Sequence, residues 1–288
     1  MEIQKRTILS GFILLIISSS LFFFLTIPVW AGGSKDKGNG KIALIRKAGK
    51  IVVGTSADYP PYEFHTLRNG KDELVGLDMA IGKEIAKELG VKIDFKDMRF
   101  ENLLPSLQKG TIDLIIAGMI PTAERRQLAD FSSIYYHTVQ GILIRAADKD
   151  KYRTVDSLKT ARISAQRGTI QVDIAKTYIL AVPEGQPPEA PPPVFSEAGT
   201  IRSLIQDLNN GKTDAVVVEQ PVARFFIAKN PDLFLSTVSF KDEEGGTAIA
   251  IKKGNSDLLQ AVEKTITRLI AAKKIDQFVV EANELVEN

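Results

Sequence analysis

The chain of 288 residues contains no cysteine, one tryptophan and two histidines. Without cysteine there is no disulfide framework, no thiolate metal site, no cysteine nucleophile and no lipid-modified cysteine to tether an exported protein. His65 and His137 stand apart and show neither H-x-x-x-H nor H-E-x-x-H spacing. Neither a metal site nor a serine–histidine dyad is signalled, and no metal or cofactor is expected. Charge of one sign is also missing: 37 basic and 35 acidic residues interleave to a net +2. That balance leaves no electrostatic footprint for nucleic acid or an anionic membrane surface, and it turns attention to small solutes. What is present is a globular mixture, 44% hydrophobic and 25% charged, in a chain long enough for two modest cores.

The N-terminal stretch is a different material. Lys5 and Arg6 precede an apolar run from Ile8 to Ile27, and Val29-Trp30-Ala31 offers small residues where a signal peptidase reads. Residues 1–31 therefore read as a secretory signal peptide, with an uncleaved membrane anchor as the alternative, since ~20 apolar residues also span a bilayer. Gly32 to Gly40 is glycine-rich and charged, a flexible leader.

From Lys50 onward short apolar runs alternate with helix-period segments, the rhythm of an α/β protein. Ile51 to Gly54 predicts a strand, and Met79, Ile81, Ile85, Ala86 and Leu89 predict a helix closed by Gly90. Leu103, Leu104 and Leu107 mark a short helix before Gly110, followed by a strand over Ile112 to Ile116. The pattern then restarts with a strand at Arg162 to Gln166, a helix on Ile170, Ile174 and Tyr178, a helix on Ile201, Leu204, Ile205 and Leu208, and a buried strand at Asp214 to Glu219. The two rounds meet near Gly141 to Arg145, and a similar segment returns at Ala248 to Ile251; these read as crossover strands. The expected organisation is a discontinuous first lobe (41–140 and 243–288) holding an inserted second lobe (141–242). Pro183 to Pro193 reads as a stiff surface loop.

In open parallel sheets ligands collect outside the carboxyl ends of strands, where helix N-termini present unpaired N–H groups. Four polar clusters fall there: Thr55 to Tyr62, Ala117 to Arg126, Gln166 to Thr169, and Glu219. Thr122 suits an N-cap, which places Arg125 and Arg126 in the first helical turn, where the macrodipole disfavours a cation. A cation there has an anion to meet, either a ligand or a neighbouring carboxylate such as Glu124 or Asp130. Gly168 and Thr169 repeat the theme in the second round. Tyr59, Tyr62, Phe64 and Phe100 form either a flat-walled slot or core, and Asp58 and Glu63 either meet a cation or are solvated loop acids.

Six segments now stand in order: GTSADYPPYEF (54–64), GLDMAIGKEIAKELG (76–90), LLPSLQKGTIDLIIAGMIPTAERR (103–126), DFSSIYY (130–136), QRGTIQ (166–171) and DAVVVEQPVA (214–223). Together they resemble the polar amino-acid binding proteins of ABC importers, solute-binding protein family 3. The resemblance implies the type II periplasmic-binding-protein fold, two α/β lobes on a two-strand hinge, with an ABC permease as membrane partner and a monomeric receptor outside the cytoplasm. It also implies site roles. Arg125 holds the ligand carboxylate, helped by Thr169, and Glu219 and the Gly118 carbonyl meet the ammonium group. Tyr59 and Phe100 sandwich the side chain, and Gln166 and Ser56 read its tip; Ala117 and Thr122 flank the same loop. Ser56 stands where several basic-amino-acid binders carry aspartate, which points away from arginine or lysine, while Asp58 keeps that class open. Ile120 stands where the family carries a hydroxyl, so weakened recognition of the ligand backbone is one expectation and simple core packing the other. Two other readings use this fold: a cleft enzyme of the cyclohexadienyl dehydratase kind, with Glu219 or Glu63 as its acid, and an anchored sensor module. No paired acid and base is evident for the enzyme, and no kinase, cyclase or coiled-coil segment follows for the sensor.

Overall fold

The computed structural model describes residues 40–181, 195–241 and 245–285. The expected signal segment, the leader apart from Gly40, the proline-rich stretch at 183–193, Glu243 and residues 286–288 lie outside the described residues.

Helix α1 (Lys41–Ala48) runs into strand β1 (Lys50–Thr55), whose Ile51 and Val53 are buried. Strand β2 (Asp58–Tyr59) and the hairpin of β3 (Glu63–Arg68) and β4 (Lys71–Val75) form a small antiparallel sheet. The hairpin turns on Asn69 and Gly70, with φ of 52° and 73°, as a two-residue Asn-Gly loop requires. Helix α2 (Leu77–Leu89) buries Leu77, Ile81, Ile85 and Leu89 along one stripe and is capped by the N–H of Gly90. Strand β5 (Lys92–Asp97) returns parallel to β1. Helix α3 (Leu103–Lys109) leads to β6 (Leu114–Ile115), parallel on the other side of β1, so the strand expected at 112–116 pairs through two residues only. Helix α4 (Ala123–Leu128) and β7 (Ala129–Phe131) end this round.

The second round starts with β8 (Val139–Arg145) and α5 (Val155–Leu158), then β9 (Ile163–Gln166) and α6 (Ile170–Ile174), which a π-helical turn extends over Ala175–Ile179. It continues through β10 (Phe195–Ala198), α7 (Ile201–Asn209), β11 (Ala215–Glu219), α8 (Gln220–Lys229) and β12 (Leu233–Lys241). The chain then returns as β13 (Ala250–Lys252), α9 (Ser256–Ala271) and α10 (Lys274–Glu284).

Two five-stranded sheets result, in the orders β5-β1-β6-β13-β7 and β10-β9-β11-β8-β12. Each holds three parallel strands side by side, β5-β1-β6 in one and β10-β9-β11 in the other, and finishes with antiparallel strands. Such a sheet reverses direction beside its first strand, which opens a crevice at the carboxyl ends. The segments read from sequence as crossover strands are strands of the sheets, β8 in the second and β13 in the first, with their apolar side chains buried. The crossings lie just before each of them and touch at an antiparallel bridge between Tyr136 and Thr247.

Candidate functional site

On the first lobe, the chain leaving β1 is pinned against the N-terminus of α2. The amides of Leu77 and Asp78 donate to the carbonyls of Pro61 (3.0 Å) and Tyr62 (2.9 Å). Gly76 permits this contact, since at its φ of 125° any Cβ would collide with the Tyr62 carbonyl. Asp78 is fully buried and ties the next loop in place: its carboxylate accepts the Gly118 amide at 2.7 Å and the Tyr135 hydroxyl at 2.8 Å. Thr122 caps α4 as its sequence position implies, its Oγ1 accepting the Arg125 amide at 3.3 Å.

That cap aims Arg125 into the crevice. The guanidinium donates to the Ile120 carbonyl (2.7 Å) and, across to the second lobe, to the Gly168 carbonyl (3.0 Å), and it lies 5.2 Å from the centre of the Phe100 ring. Its contacts are therefore carbonyls and a ring rather than Glu124 or Asp130, the neighbouring carboxylates that sequence offered. Burial lowers its pKa to about 10, so it stays charged at neutral pH.

From the second lobe, β9 delivers Gln166 and the turn at Gly168, whose φ is 78°. The Thr169 hydroxyl donates to the Gln166 carbonyl at 2.7 Å, while Gln166 Nε2 is buried and meets no acceptor among the described residues. β11 delivers Glu219, 1% exposed, which accepts the Tyr62 hydroxyl at 2.6 Å. Tyr59 stacks on Tyr62 with ring centres 5.8 Å apart.

These groups line a small cavity between the lobes, walled by Ser56, Tyr59, Phe100, Ala117, Gly118, Ile120, Arg125, Gln166, Thr169 and Glu219. Every residue read from sequence as ligand-binding is there except Asp58 and Thr122. Thr122 lines the open groove next to the cavity and acts through its cap. Asp58 turns away from the cavity because its carboxylate is engaged by the Ile201 amide of the second lobe at 2.6 Å. Ile120 lines both the cavity and the groove, so its side chain faces the crevice while its carbonyl holds Arg125.

The structure adds Ile170 and Gln171 to the wall and places Glu63 there too. Gln171 donates to Gln140 Oε1 at 2.7 Å and approaches the Tyr59 hydroxyl at 3.4 Å. Its signal was its place in the first turn after the Gly168-Thr169 loop. Glu63 is fully buried, and its carboxyl is hydrogen-bonded to the carboxyl of Asp78, with no backbone N–H, hydroxyl or cation among the described residues donating to it. Burial, with the carboxyl of Asp78 beside it and those of Asp58 and Glu219 nearby, drives its pKa well above the usual value. Of the pair, Glu63 keeps the proton, because Asp78 has the Gly118 amide and the Tyr135 hydroxyl to hold its charge. The cavity is thus polarised, with one arginine at one side and two acids, Glu63 and Glu219, elsewhere on the wall. Such a wall suits a zwitterion that carries an additional positive charge.

The family description of bacterial extracellular solute-binding proteins, family 3, matches residues 51–281. The arginine-binding extracellular protein ArtP of Bacillus subtilis is 32% identical over 260 residues, covering 89% of this chain and 91% of that protein. A probable histidine-binding protein of Campylobacter jejuni is 31% identical over 220 residues, covering 75% and 78%. Among solved structures, an amino acid ABC transporter substrate-binding protein from Streptococcus pneumoniae bound to L-arginine superposes with a TM-score of 0.79 at 35% identity, covering 85% of this chain and 98% of that one.

Proposed function

The chain belongs to the bacterial extracellular solute-binding proteins, family 3, and from that premise we propose that the solute it captures is a cationic amino acid, L-arginine first. Its two α/β lobes are those of a type II periplasmic binding protein, and it serves as an extracytoplasmic receptor that delivers a polar amino acid to an ABC permease. Arg125 takes the carboxylate in a charge-assisted pair, with Thr169 beside it. Glu219 and the Gly118 carbonyl take the ammonium, and Tyr59 and Phe100 flank the side chain. The observation that carries the choice of cation is Glu63, a fully buried carboxyl on the cavity wall whose side-chain hydrogen bond is to another carboxyl, Asp78, and which no cation meets among the described residues. A guanidinium supplies the missing donors and charge, whereas a neutral side chain leaves the acid to keep its proton. Gln166, Gln171 and Ser56 supply polar contacts to the rest of the tip.

Transport rather than catalysis fits the same wall. Both histidines lie outside the cavity wall. The working form is a monomer exported by its N-terminal segment, and the permease is its membrane partner. No described helix is long and apolar enough to cross a membrane.

Calorimetry on protein unfolded and refolded to strip bound solute tests the assignment. L-arginine is expected to bind one to one and more tightly than L-glutamine, L-histidine or L-cystine. Absence of arginine binding, or tenfold preference for one of the others, overturns it.

A further inference from the structure

The lobes touch around the cavity at points of different kinds. Arg125 to the Gly168 carbonyl and Tyr62 to Glu219 engage groups of the cavity wall itself. Arg167 and Glu101 approach to 3.8 Å at the surface, where an ion pair contributes little. Asp58 differs from all of these. It lies on β2 of the first lobe, outside the cavity, and its Oδ2 accepts the amide of Ile201, the first residue of α7 on the second lobe, at 2.6 Å, with the Arg202 amide also directed at it. Helix α7 has a cap of its own as well, Thr200 Oγ1 accepting the Ser203 amide at 3.3 Å. The two caps divide the amides that a helix start leaves without intrahelical partners, one from within the lobe and one from across the crevice. Ser56, which lines the cavity, sits 3.4 Å from the other Asp58 oxygen.

We propose that Asp58 is an interlobe latch, whose carboxylate bonds the start of α7 only when the lobes are together and so raises affinity for every amino acid the crevice accepts without touching any of them. The inference rests on the receptor reading above and makes Asp58 a positioning residue for it. A bond confined to the closed form changes the closed-to-open ratio by one factor, whatever occupies the crevice. A residue that touches the solute changes affinity by a factor that depends on the solute.

Two measurements on the full mature chain test this. In the first, Asp58→Ala is expected to weaken L-arginine and L-lysine by the same factor, roughly tenfold or more for a bond to a charged acceptor. The loss should fall in the dissociation rate. Asp58→Asn, which keeps an acceptor oxygen, restores most of it. The second needs no amino acid. The chain has no cysteine, so Glu101→Cys with Gly168→Cys creates a unique pair. A Cβ at position 168 would lie 3.0 Å from that of Glu101, closer than the ~3.5–4.5 Å a disulfide spans, so the pair bonds with the lobes slightly short of full closure. Oxidative trapping in the absence of amino acids is expected to slow by a similar factor when Asp58→Ala is added, and to recover with Asp58→Asn. Should the alanine variant not fold, Asp58→Ser, too short to reach α7, repeats both arms. Unchanged affinities and trapping rates overturn the latch, and so do unequal factors for arginine and lysine, which make Asp58 a solute contact. A wild-type protein that binds neither amino acid defeats the arginine assignment, and the trapping rates still decide the latch.

Discussion

At the scale of single residues, Glu63 sets the chemistry of the crevice. A carboxyl that holds its proton in the empty site must release it when a guanidinium arrives, because the added positive charge favours the ionised form. Arginine binding should therefore expel a proton, and affinity should rise with pH across the range in which Glu63 titrates in the solute-free protein. Calorimetry in two buffers of different ionisation enthalpy reads the proton directly; equal apparent enthalpies would count against this role. Glu63→Gln is expected to weaken L-arginine at least about tenfold, the loss of a charged hydrogen-bonding partner, while any binding of L-citrulline changes by less than about threefold. Sequence left Glu63 ambiguous between a cation partner and a solvated loop acid, since nothing within a few residues of it states its burial. Ser56, which argued from sequence against a basic solute, is answered by this second carboxyl on the same wall.

At the scale of elements, the site depends on backbone approaches that only certain residues permit. The loop bearing Tyr59 to Glu63 is held on the start of α2 through Gly76, where an added Cβ would meet the carbonyls of Tyr62 and Pro61. Gly76→Ala is expected to cost about 3 kcal/mol from combined collision and backbone strain, lowering Tm by several degrees and weakening solute binding together. Gly70, in the β3–β4 turn, also has positive φ but no atom within 4 Å of an added Cβ. Gly70→Ala should cost only about 1 kcal/mol and leave binding unchanged. Parallel melting and titration of the two variants checks the contrast, and equal loss of binding in both would remove the distinction. The Asn69-Gly70 pair between β3 and β4 is a hairpin signal open to sequence reading, and had it been followed it would have placed Glu63 at the head of a strand rather than in a loop. The helix ends were easier to read, because Gly90 and Gly110 and the Thr122 cap act over a few neighbouring residues.

At the scale of the whole molecule, buried acids govern the response to pH. Burial raises both Asp58 and Asp78 to about 6, with Glu63 raised as well. In the unfolded chain these groups titrate near ~4, so between ~4 and ~6 the folded protein holds more protons than the unfolded one. Stability from this source is complete below the unfolded values and is lost as pH rises through about 6. Asp214 acts in the opposite sense: its bonds to Arg162 and Arg145 hold it well below the usual range, and its contribution disappears only as pH falls below ~4. Asp78, whose partners Gly118 and Tyr135 lie in its own lobe, keeps this effect without solute, so the solute-free protein is expected to melt a degree or two higher near pH 5 than near pH 7.5. A melting temperature that climbs steadily from pH 5 to pH 7.5 would contradict the assignment of Asp78 as a buried acid.

The sequence alone determined the two α/β rounds, the family resemblance and most of the cavity wall, because strand and helix periods, caps and glycine stops are local. A polar group just past a parallel strand also has little choice of where to sit. Arg125, Thr169 and Glu219 were legible for that reason. Tertiary structure decided what those positions face. Asp58 meets Ile201 across 143 residues of chain and Tyr62 meets Glu219 across 157, and Glu63 is fully buried on a wall that residues of both lobes make. A carboxylate in a loop has the same local sequence whether water, a helix start or a solute completes its hydrogen bonds, so its partner is settled only when the lobes come together.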